Sequence, residues 1–373
     1  MGSSTSLELL RICWDANVNS ISWGPPGEGK SALAKYEAVK KRGWGYGLVI
    51  LANCDPTDPG GLPVTVTQPD GQQVVVRLPG RVFYEAVEHG KKGLPYVIHF
   101  DEWNQAAPLN RAAVQNILTS RQAGDLVLPD STRFYLSCND PQIAIGASDL
   151  APPESNRVVH IQWELGHLEW KEYMLSGDNT PLEESALVVA FLENQAWIGL
   201  RQPADQAKSN RPYCTPRSWE MLTHLLKVAR ERKTEPAVMR LLVGGTIGDE
   251  MAAKFVDFLR IRDELSPPEE ILAQAATYQF PDHRMDLSYL LFNAVGTYVL
   301  QNPSKENWDN AWTLMGRAVD TIHFDKAALG ATIMSRLLSE KTPLAKELKK
   351  KAHPGMLGFL PTFRQLREIK KVV

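Results

Sequence analysis

The stretch GPPGEGKS, residues 24–31, decides the fold of this chain. It satisfies the pattern GxxxxGK[ST], in which glycines let backbone N–H groups turn inward around phosphate oxygens without obstruction from a Cβ atom. In that pattern Lys30 reaches the β- and γ-phosphates, and the Ser31 hydroxyl ligates Mg²⁺. The stretch therefore predicts a phosphate loop for ATP, against the alternative of an ordinary Gly/Pro turn.

The residues on either side of the loop fit this interpretation. Ser20–Trp23 can form a strand that enters the loop, although it is less apolar than is typical. Ser31–Lys41 is rich in helix formers, so the loop is expected to end at a helix N-terminus, which favours anions. The residues expected to contact the nucleotide are Gly24, Pro25, Pro26, Gly27, Glu28, Gly29, Lys30, Ser31 and Ala32.

A second motif, YVIHFDE, follows at residues 96–102. A near-continuous apolar run of this length is typical of a buried parallel strand, and open α/β sheets place their ligand crevice at the carboxyl ends of such strands. Asp101 is expected to hold Mg²⁺ with Ser31, and Glu102 to polarise the attacking water. His99 is interpreted as a hydrogen-bonded core histidine rather than a catalytic one.

Composition excludes several other classes of protein. The chain has 373 residues, of which 43% are hydrophobic and 23% are charged, as in a folded protein of two or three subdomains. A formal net charge of -2 argues against general affinity for nucleic acid or acidic membranes, and no apolar run is long enough to cross a bilayer. The four cysteines lack a CxxC pair, which suits a reducing, cytoplasmic setting.

Beyond the two motifs, the chain resembles the MoxR-like branch of the AAA+ ATPases. The stretch HFDEWNQAAPLNRAAVQNIL (99–118) is similar to that branch's Walker B strand and following helix, and STRFYLSCNDP (131–141) to its next strand. Asn139 then falls at the sensor 1 position, where the family uses an asparagine to bond the lytic water or γ-phosphate. A turn-forming asparagine before Asp140-Pro141 is the alternative.

The same resemblance implies roles for arginines. In LAPPESNRVVHI (150–161), Arg157 matches the family's arginine that faces the nucleotide of the neighbouring subunit, a task that suits a planar, permanently charged guanidinium. In TPRSW (215–219), Arg217 falls at the sensor 2 position on the first turn of a lid helix. Arg121 is a weaker candidate for a second arginine contact. Arg157 and Arg217, each taken alone, are better interpreted as surface ion-pairing residues.

Two further stretches, DPTDPGGLP (55–63) and VGGTIGDEMAAKFVDFLR (243–260), resemble a subgroup of that branch. The resemblance implies a ring, expected to be a homohexamer, with chaperone-like ATPase activity. It also implies a protein partner that carries a von Willebrand factor A domain. Packing at helical spacing explains the apolar residues of 243–260 without any site.

The order of strand and helix signals predicts an α/β fold, with a parallel sheet flanked by helices, then a helical lid and a helical C-terminal extension. The expected domains are 1–165, 166–235 and 236–373. Gly47–Asn53 is the expected second strand, and Asn53 at its end is a candidate γ-phosphate sensor. In residues 64–78, alternating β-branched residues flank a turn at Pro69-Asp70-Gly71 and predict a hairpin. This hairpin either faces the pore or the partner-binding face of the ring, or serves only the fold.

Three functions stay open on the sequence alone. The first is an ATP-driven machine that remodels a partner protein. The second is a slow, nucleotide-dependent scaffold or switch that controls assembly with a partner, and it would carry the same motifs. The third is a DNA-acting AAA+ protein, against which the acidic balance and the lack of a recognisable DNA-binding module weigh.

Overall fold

The structure is a computed structural model of the chain. The residues it describes are 5–140, 150–177, 180–201, 211–261, 264–281, 284–339, 342–350 and 353–359. Internal contacts divide the chain into two compact units, Ser3–Gly166 and His167–Val372. The further division of the helical part at residue 235 stays a prediction.

The first unit is built on a five-stranded parallel sheet. In spatial order its strands are β2 (Gly45–Ile50), β5 (Tyr96–Asp101), β8 (Thr132–Asn139), β1 (Ser20–Gly24) and β9 (Val159–Gln162). All neighbouring strands pair in parallel, so their carboxyl ends lie along one edge, where α/β sheets bind ligands. The predicted parallel sheet is confirmed.

Helices cover this sheet, as the sequence predicts. They are α1 (Thr5–Asp15), α2 (Lys30–Tyr36), α3 (Thr57–Gly60), α4 (Arg81–Lys91), α5 (Pro108–Ser120) and α6 (Pro152–Ser155). Large apolar side chains of β5 and β8, such as Phe100 and Phe134, are buried in the core beneath them. Continuous burial of β5 explains why its sequence does not alternate.

The helix after the phosphate loop differs from the prediction of Ser31–Lys41. It begins at Lys30 and is α-helical only to Tyr36, and Glu37–Lys41 continue as a π-helical turn. Glu37 is buried there and accepts hydrogen bonds from Arg11 (2.9 and 3.1 Å) and Arg42 (3.3 Å). A buried carboxylate of this kind requires such partners.

The second strand was predicted as Gly47–Asn53, and this is wrong at both ends, since β2 is Gly45–Ile50 and a 3₁₀ turn covers Leu51–Asn53. At the start, Gly45 makes room for the rings of Tyr96 and His89, which a Cβ atom at this position would meet. At the end, Asn110 of α5 donates to the carbonyls of Leu51 (3.3 Å) and Cys54 (2.7 Å), which holds the turn.

The predicted hairpin is confirmed, with β3 (Leu62–Thr67) and β4 (Gln73–Leu78) pairing antiparallel. A second, very short hairpin, β6 (Gln122–Ala123) with β7 (Leu126–Val127), has no clear sequence signal. Backbone N–H of Arg77 donates to the Asp125 carboxylate (2.8 Å), and the N–H of Asp125 donates to the Arg77 carbonyl (3.0 Å). The two hairpins are thereby joined.

The described part of the second unit contains helices and no strand. Its helices are α7 (His167–Leu175), α8 (Leu182–Asn194), α9 (Pro216–Glu231), α10 (Pro236–Ile247), α11 (Asp249–Ile261), α12 (Pro268–Ala273), α13 (Met285–Gln301), α14 (Lys305–Arg317), α15 (Phe324–Met334) and α16 (Pro343–Lys350). Buried Trp308, Trp312 and Phe292 lie in its core. Within the described residues, no helix is both long enough and apolar enough to cross a bilayer. The sequence also carries the basic residues Arg364, Arg367, Lys370 and Lys371 near its end, and these lie outside the described residues.

Candidate functional site

The phosphate loop connects the end of β1 to the start of α2. Gly27 and Gly29 have φ angles of 82° and 73°, in the left-handed region that strains residues with a Cβ atom. Between them Glu28 is buried, and beyond them Ala32 is exposed on the first turn of α2. The loop therefore ends at a helix N-terminus, where backbone N–H groups lack partners of their own and attract phosphate.

Trp163, just after β9, fixes the loop from one side. Its indole Nε1 donates to the Glu28 carbonyl at 2.9 Å, and its backbone N–H donates to the Trp23 carbonyl at 2.7 Å. A Cβ atom on Gly24 would lie 3.1 Å from the Trp163 carbonyl oxygen, so this glycine allows the close approach. No motif marks Trp163, and sequence analysis missed it.

Lys30 is buried, with its ammonium group turned into the loop. Its Nζ atom donates to the carbonyls of Gly24 (2.7 Å) and Pro25 (2.8 Å) and to Asn139 Oδ1 (3.2 Å). Asn139 ends β8, directly beside Gly24 in the sheet register. The predicted sensor asparagine therefore lies against the predicted phosphate-binding lysine. Asn104 donates to the Asn139 carbonyl at 2.8 Å and holds that strand end in place.

Ser31 and Asp101 meet at the edge of the sheet. The Ser31 hydroxyl donates to Asp101 Oδ2 at 2.6 Å, and the Glu102 backbone N–H donates to Oδ1 at 2.9 Å. The Ser137 hydroxyl also donates to Oδ1 through a short hydrogen bond. Burial opposes ionisation of Asp101, but these bonds stabilise its charge and keep the pKa of the carboxyl below its ordinary value.

Glu102 follows Asp101 in an unusual backbone conformation. Its φ of 55° and ψ of 37° are left-handed, which is uncommon for a residue with a side chain and costs about 1 kcal/mol. The conformation turns the backbone directly after β5, so Glu102 lies next to Asp101 at the carboxyl end of the strand. The side chain is partly exposed, and its carboxylate has no hydrogen-bond partner among the described residues. It is thus available to a ligand.

Behind Asp101, His99 lies fully buried in a polar pocket that sequence analysis did not foresee. Its Nε2 atom lies 2.7 Å from Ser137 Oγ, and its Nδ1 atom lies 2.6 Å from the Tyr46 hydroxyl. Burial lowers the pKa of His99 to about 4, so the ring is neutral near pH 7. Interpretation of His99 as a hydrogen-bonded core residue agrees with this, and the bonds lead to Asp101.

The arginines given roles by the resemblance have different local surroundings. Arg157 is exposed in the turn before β9 and donates to the Pro153 carbonyl at 2.7 Å. Arg121 donates to the carbonyls of Pro129 (2.9 Å) and Thr132 (2.7 Å), so its guanidinium is held by its own chain. Arg217 is exposed at the start of α9, in the second unit. Asn53 is exposed three residues beyond the end of β2.

The residues present fit a nucleoside triphosphate with Mg²⁺. A hydroxyl and a carboxylate are hard oxygen donors, and Mg²⁺ in phosphate-binding sites takes one or two such protein ligands and completes its shell with phosphate oxygens and water. Ser31 and Asp101 supply that pair. The buried cation of Lys30 and the inward-turned loop supply the complement for phosphate charge.

Comparison with protein-family models and with curated proteins finds no match. Among solved structures, the chain is similar to a RuvB mutant of Thermotoga maritima, with 13% identity, a TM-score of 0.34, and coverage of 95% of this chain and 96% of that one. It is also similar to NtrX of Brucella abortus, with 14% identity, a TM-score of 0.31, and coverage of 94% and 69%. These values describe a distant similarity of backbone path and say nothing of chemistry.

Proposed function

We propose that this protein hydrolyses ATP with Mg²⁺, as an AAA+-type ATPase. The observation that carries the proposal is the 2.6 Å contact between Ser31 and Asp101. It brings a glycine-rich loop and an acidic strand end together from positions 70 residues apart in sequence. Neither motif alone is decisive, but their meeting at the sheet edge makes a chance Gly/Pro turn a poor explanation of residues 24–31.

Each residue of the cluster has a task that matches its chemistry. The backbone N–H groups of the loop and the Lys30 ammonium neutralise phosphate charge. Ser31 and Asp101 would hold the metal, which would supply positive charge to neutralise the phosphates. Glu102, whose carboxylate has no partner among the residues that the structure describes, orients and polarises the attacking water, and Asn139 offers an amide to the water or to the γ-phosphate.

We further propose that the protein assembles into a ring of the MoxR-like type. This ring would be a homohexamer with a chaperone-like function in the cytoplasm. Exposure of Arg157 supports it, because a guanidinium that serves a neighbouring subunit must lie on the surface. Arg217 would act as sensor 2 at the start of its helix. The proposed partner is a protein with a von Willebrand factor A domain, as the sequence resemblance implies.

The test is turnover by Glu102→Gln. The variant should bind ATP as tightly as the wild type but hydrolyse it about 10² to 10³ times more slowly, which is the usual effect of losing a general base. Glu88→Gln, which changes an exposed acid on α4, serves as the control and should hydrolyse ATP normally. Undiminished hydrolysis by Glu102→Gln, or no ATP turnover by the wild type with Mg²⁺, would contradict the proposal.

A further inference from the structure

A chain of hydrogen bonds, buried at its centre, leads from the edge strand β2 to the proposed metal ligand. It runs from the Tyr46 hydroxyl to His99, from His99 to Ser137, and from Ser137 to Asp101. Tyr46 lies on β2, and the other three residues lie on the adjacent strands β5 and β8. His99 is fully buried, so no solvent competes for its ring nitrogens.

The direction of every bond in this chain follows from the carboxylate at its end. Asp101 has no proton to give, so the Ser137 hydroxyl must donate to it. The Ser137 oxygen is then left to accept from His99 Nε2–H. A neutral imidazole has a single N–H, so Nδ1 must accept, and the Tyr46 hydroxyl donates to it.

Tyr46 has a second acceptor nearby, which tests this assignment. Its hydroxyl also lies 3.4 Å from the Ser31 carbonyl, but the 2.6 Å contact with His99 Nδ1 is much the shorter. Had the hydroxyl donated to Ser31, Nδ1 would carry the histidine proton and Nε2 would need one from Ser137. Ser137 could then not donate to Asp101, which the short contact between them excludes.

We propose that His99 is a positioning residue, which acts through Ser137 to hold the Asp101 carboxylate in the orientation that binds Mg²⁺. Oδ1 is fixed by Ser137 and by the Glu102 N–H, which leaves Oδ2 facing the Ser31 hydroxyl. Outer-sphere partners of this kind set the orientation of metal ligands. The inference rests on the proposed function, because it assigns a role to His99 only if a metal binds at Asp101.

Two substitutions separate positioning from simple packing. His99→Leu fills the position with an apolar side chain and removes the donor to Ser137. His99→Gln replaces the imidazole N–H with an amide N–H at a similar reach, and so can still donate. Positioning predicts that the glutamine variant keeps the metal affinity of the wild type and that the leucine variant binds the metal more weakly. Packing alone gives no reason for the two variants to differ in that direction.

The measurement is Mn²⁺ affinity by electron paramagnetic resonance in the presence of AMP-PNP, with AMP-PNP affinity in EDTA measured beside it. His99→Leu and Ser137→Ala should each weaken Mn²⁺ binding about tenfold, in line with the loss of other outer-sphere partners, while affinity in EDTA stays unchanged. The double variant should be no worse than either single one, because both act on the same bond. His99→Gln should bind Mn²⁺ as the wild type does.

The possible outcomes distinguish failure of the positioning role from failure of the proposed ATPase function. Wild-type Mn²⁺ affinity in a folded His99→Leu protein, or additive losses in the double variant, would overturn the positioning role and leave the ATPase proposal standing. A wild type that binds no AMP-PNP would overturn both. Should His99→Leu fail to fold, Ser137→Ala decides the matter, since unchanged Mn²⁺ affinity there contradicts the inference.

Discussion

The Ser31 hydroxyl donates to Asp101 Oδ2 across 2.6 Å, and this bond joins the phosphate loop to the acidic end of β5. The two residues have no sequence proximity, so only the sheet brings them together. Strand β8 lies between β5 and β1 and contributes Asn139 to the same edge. The candidate site is therefore a product of strand order as much as of motif.

Replacing Ser31 by alanine tests the metal role of this pair. The variant loses the hydroxyl that is proposed to share Mg²⁺ with Asp101, so the Mg²⁺ concentration for half-maximal hydrolysis should rise about tenfold or more. AMP-PNP affinity in EDTA should change little. Thr119→Ala, which removes an exposed hydroxyl on α5, is the control. An unchanged Mg²⁺ requirement would exclude Ser31 from the metal site.

Arg157→Ala tests whether the site is completed between subunits. ATP binding should stay nearly intact while hydrolysis falls about 10³-fold, the scale of losing an arginine that stabilises transferring phosphate. Arg81→Ala, at a highly exposed arginine of α4, should hydrolyse ATP normally. Mixtures of Arg157→Ala with Glu102→Gln subunits should regain activity, because some interfaces then combine an intact arginine with an intact glutamate. No recovery at any ratio would contradict action in trans.

The pH dependence of folding should carry the signature of His99. Its pKa is about 4 in the folded protein, against an ordinary value of 6.5. Between these values the unfolded chain binds a proton that the folded one does not, so stability is complete above the ordinary pKa and falls as pH drops toward 4. One such proton contributes a slope of at most about 1.4 kcal/mol per pH unit.

Urea unfolding of the metal-free protein at about pH 7 and about pH 5 measures this slope. The groups that face His99 are Tyr46, Tyr135, Asp101 and Lys30, and they are the same in His99→Gln. Stability of that variant should therefore decline less steeply over the same range. Equal slopes in the two proteins would show that His99 is not held neutral.

The sequence located β5 well because the strand, Tyr96–Asp101, is mostly apolar and is buried along nearly its whole length. It placed the start of β2 two residues late because Gly45 carries no strand signal. Gly45 belongs to the strand for a tertiary reason, since the Tyr96 ring packs where a Cβ atom on it would lie. A pattern within one segment does not reveal such a contact.

The same distinction holds at the site. Lys30, Ser31 and Asp101 belong to motifs whose spacing reports their chemistry, and the structure brings these residues together. Trp163 belongs to no motif, and Ser137, although it lies within the stretch 131–141, received no role from it. Ser137 becomes recognisable only once β8 is aligned beside β5, with Leu136 opposite Phe100, because the next pair in that register is Ser137 and Asp101.

Nucleotide affinity of Lys30→Met tests the central claim most directly. Loss of the ammonium leaves the phosphate charge without its chief counter-ion, so binding of a fluorescent ATP analogue should fall at least about 10²-fold. Lys35→Met, at an exposed lysine on the same helix, should bind like the wild type. Equal affinity of Lys30→Met and Lys35→Met, with both proteins folded, would contradict a phosphate loop at residues 24–31.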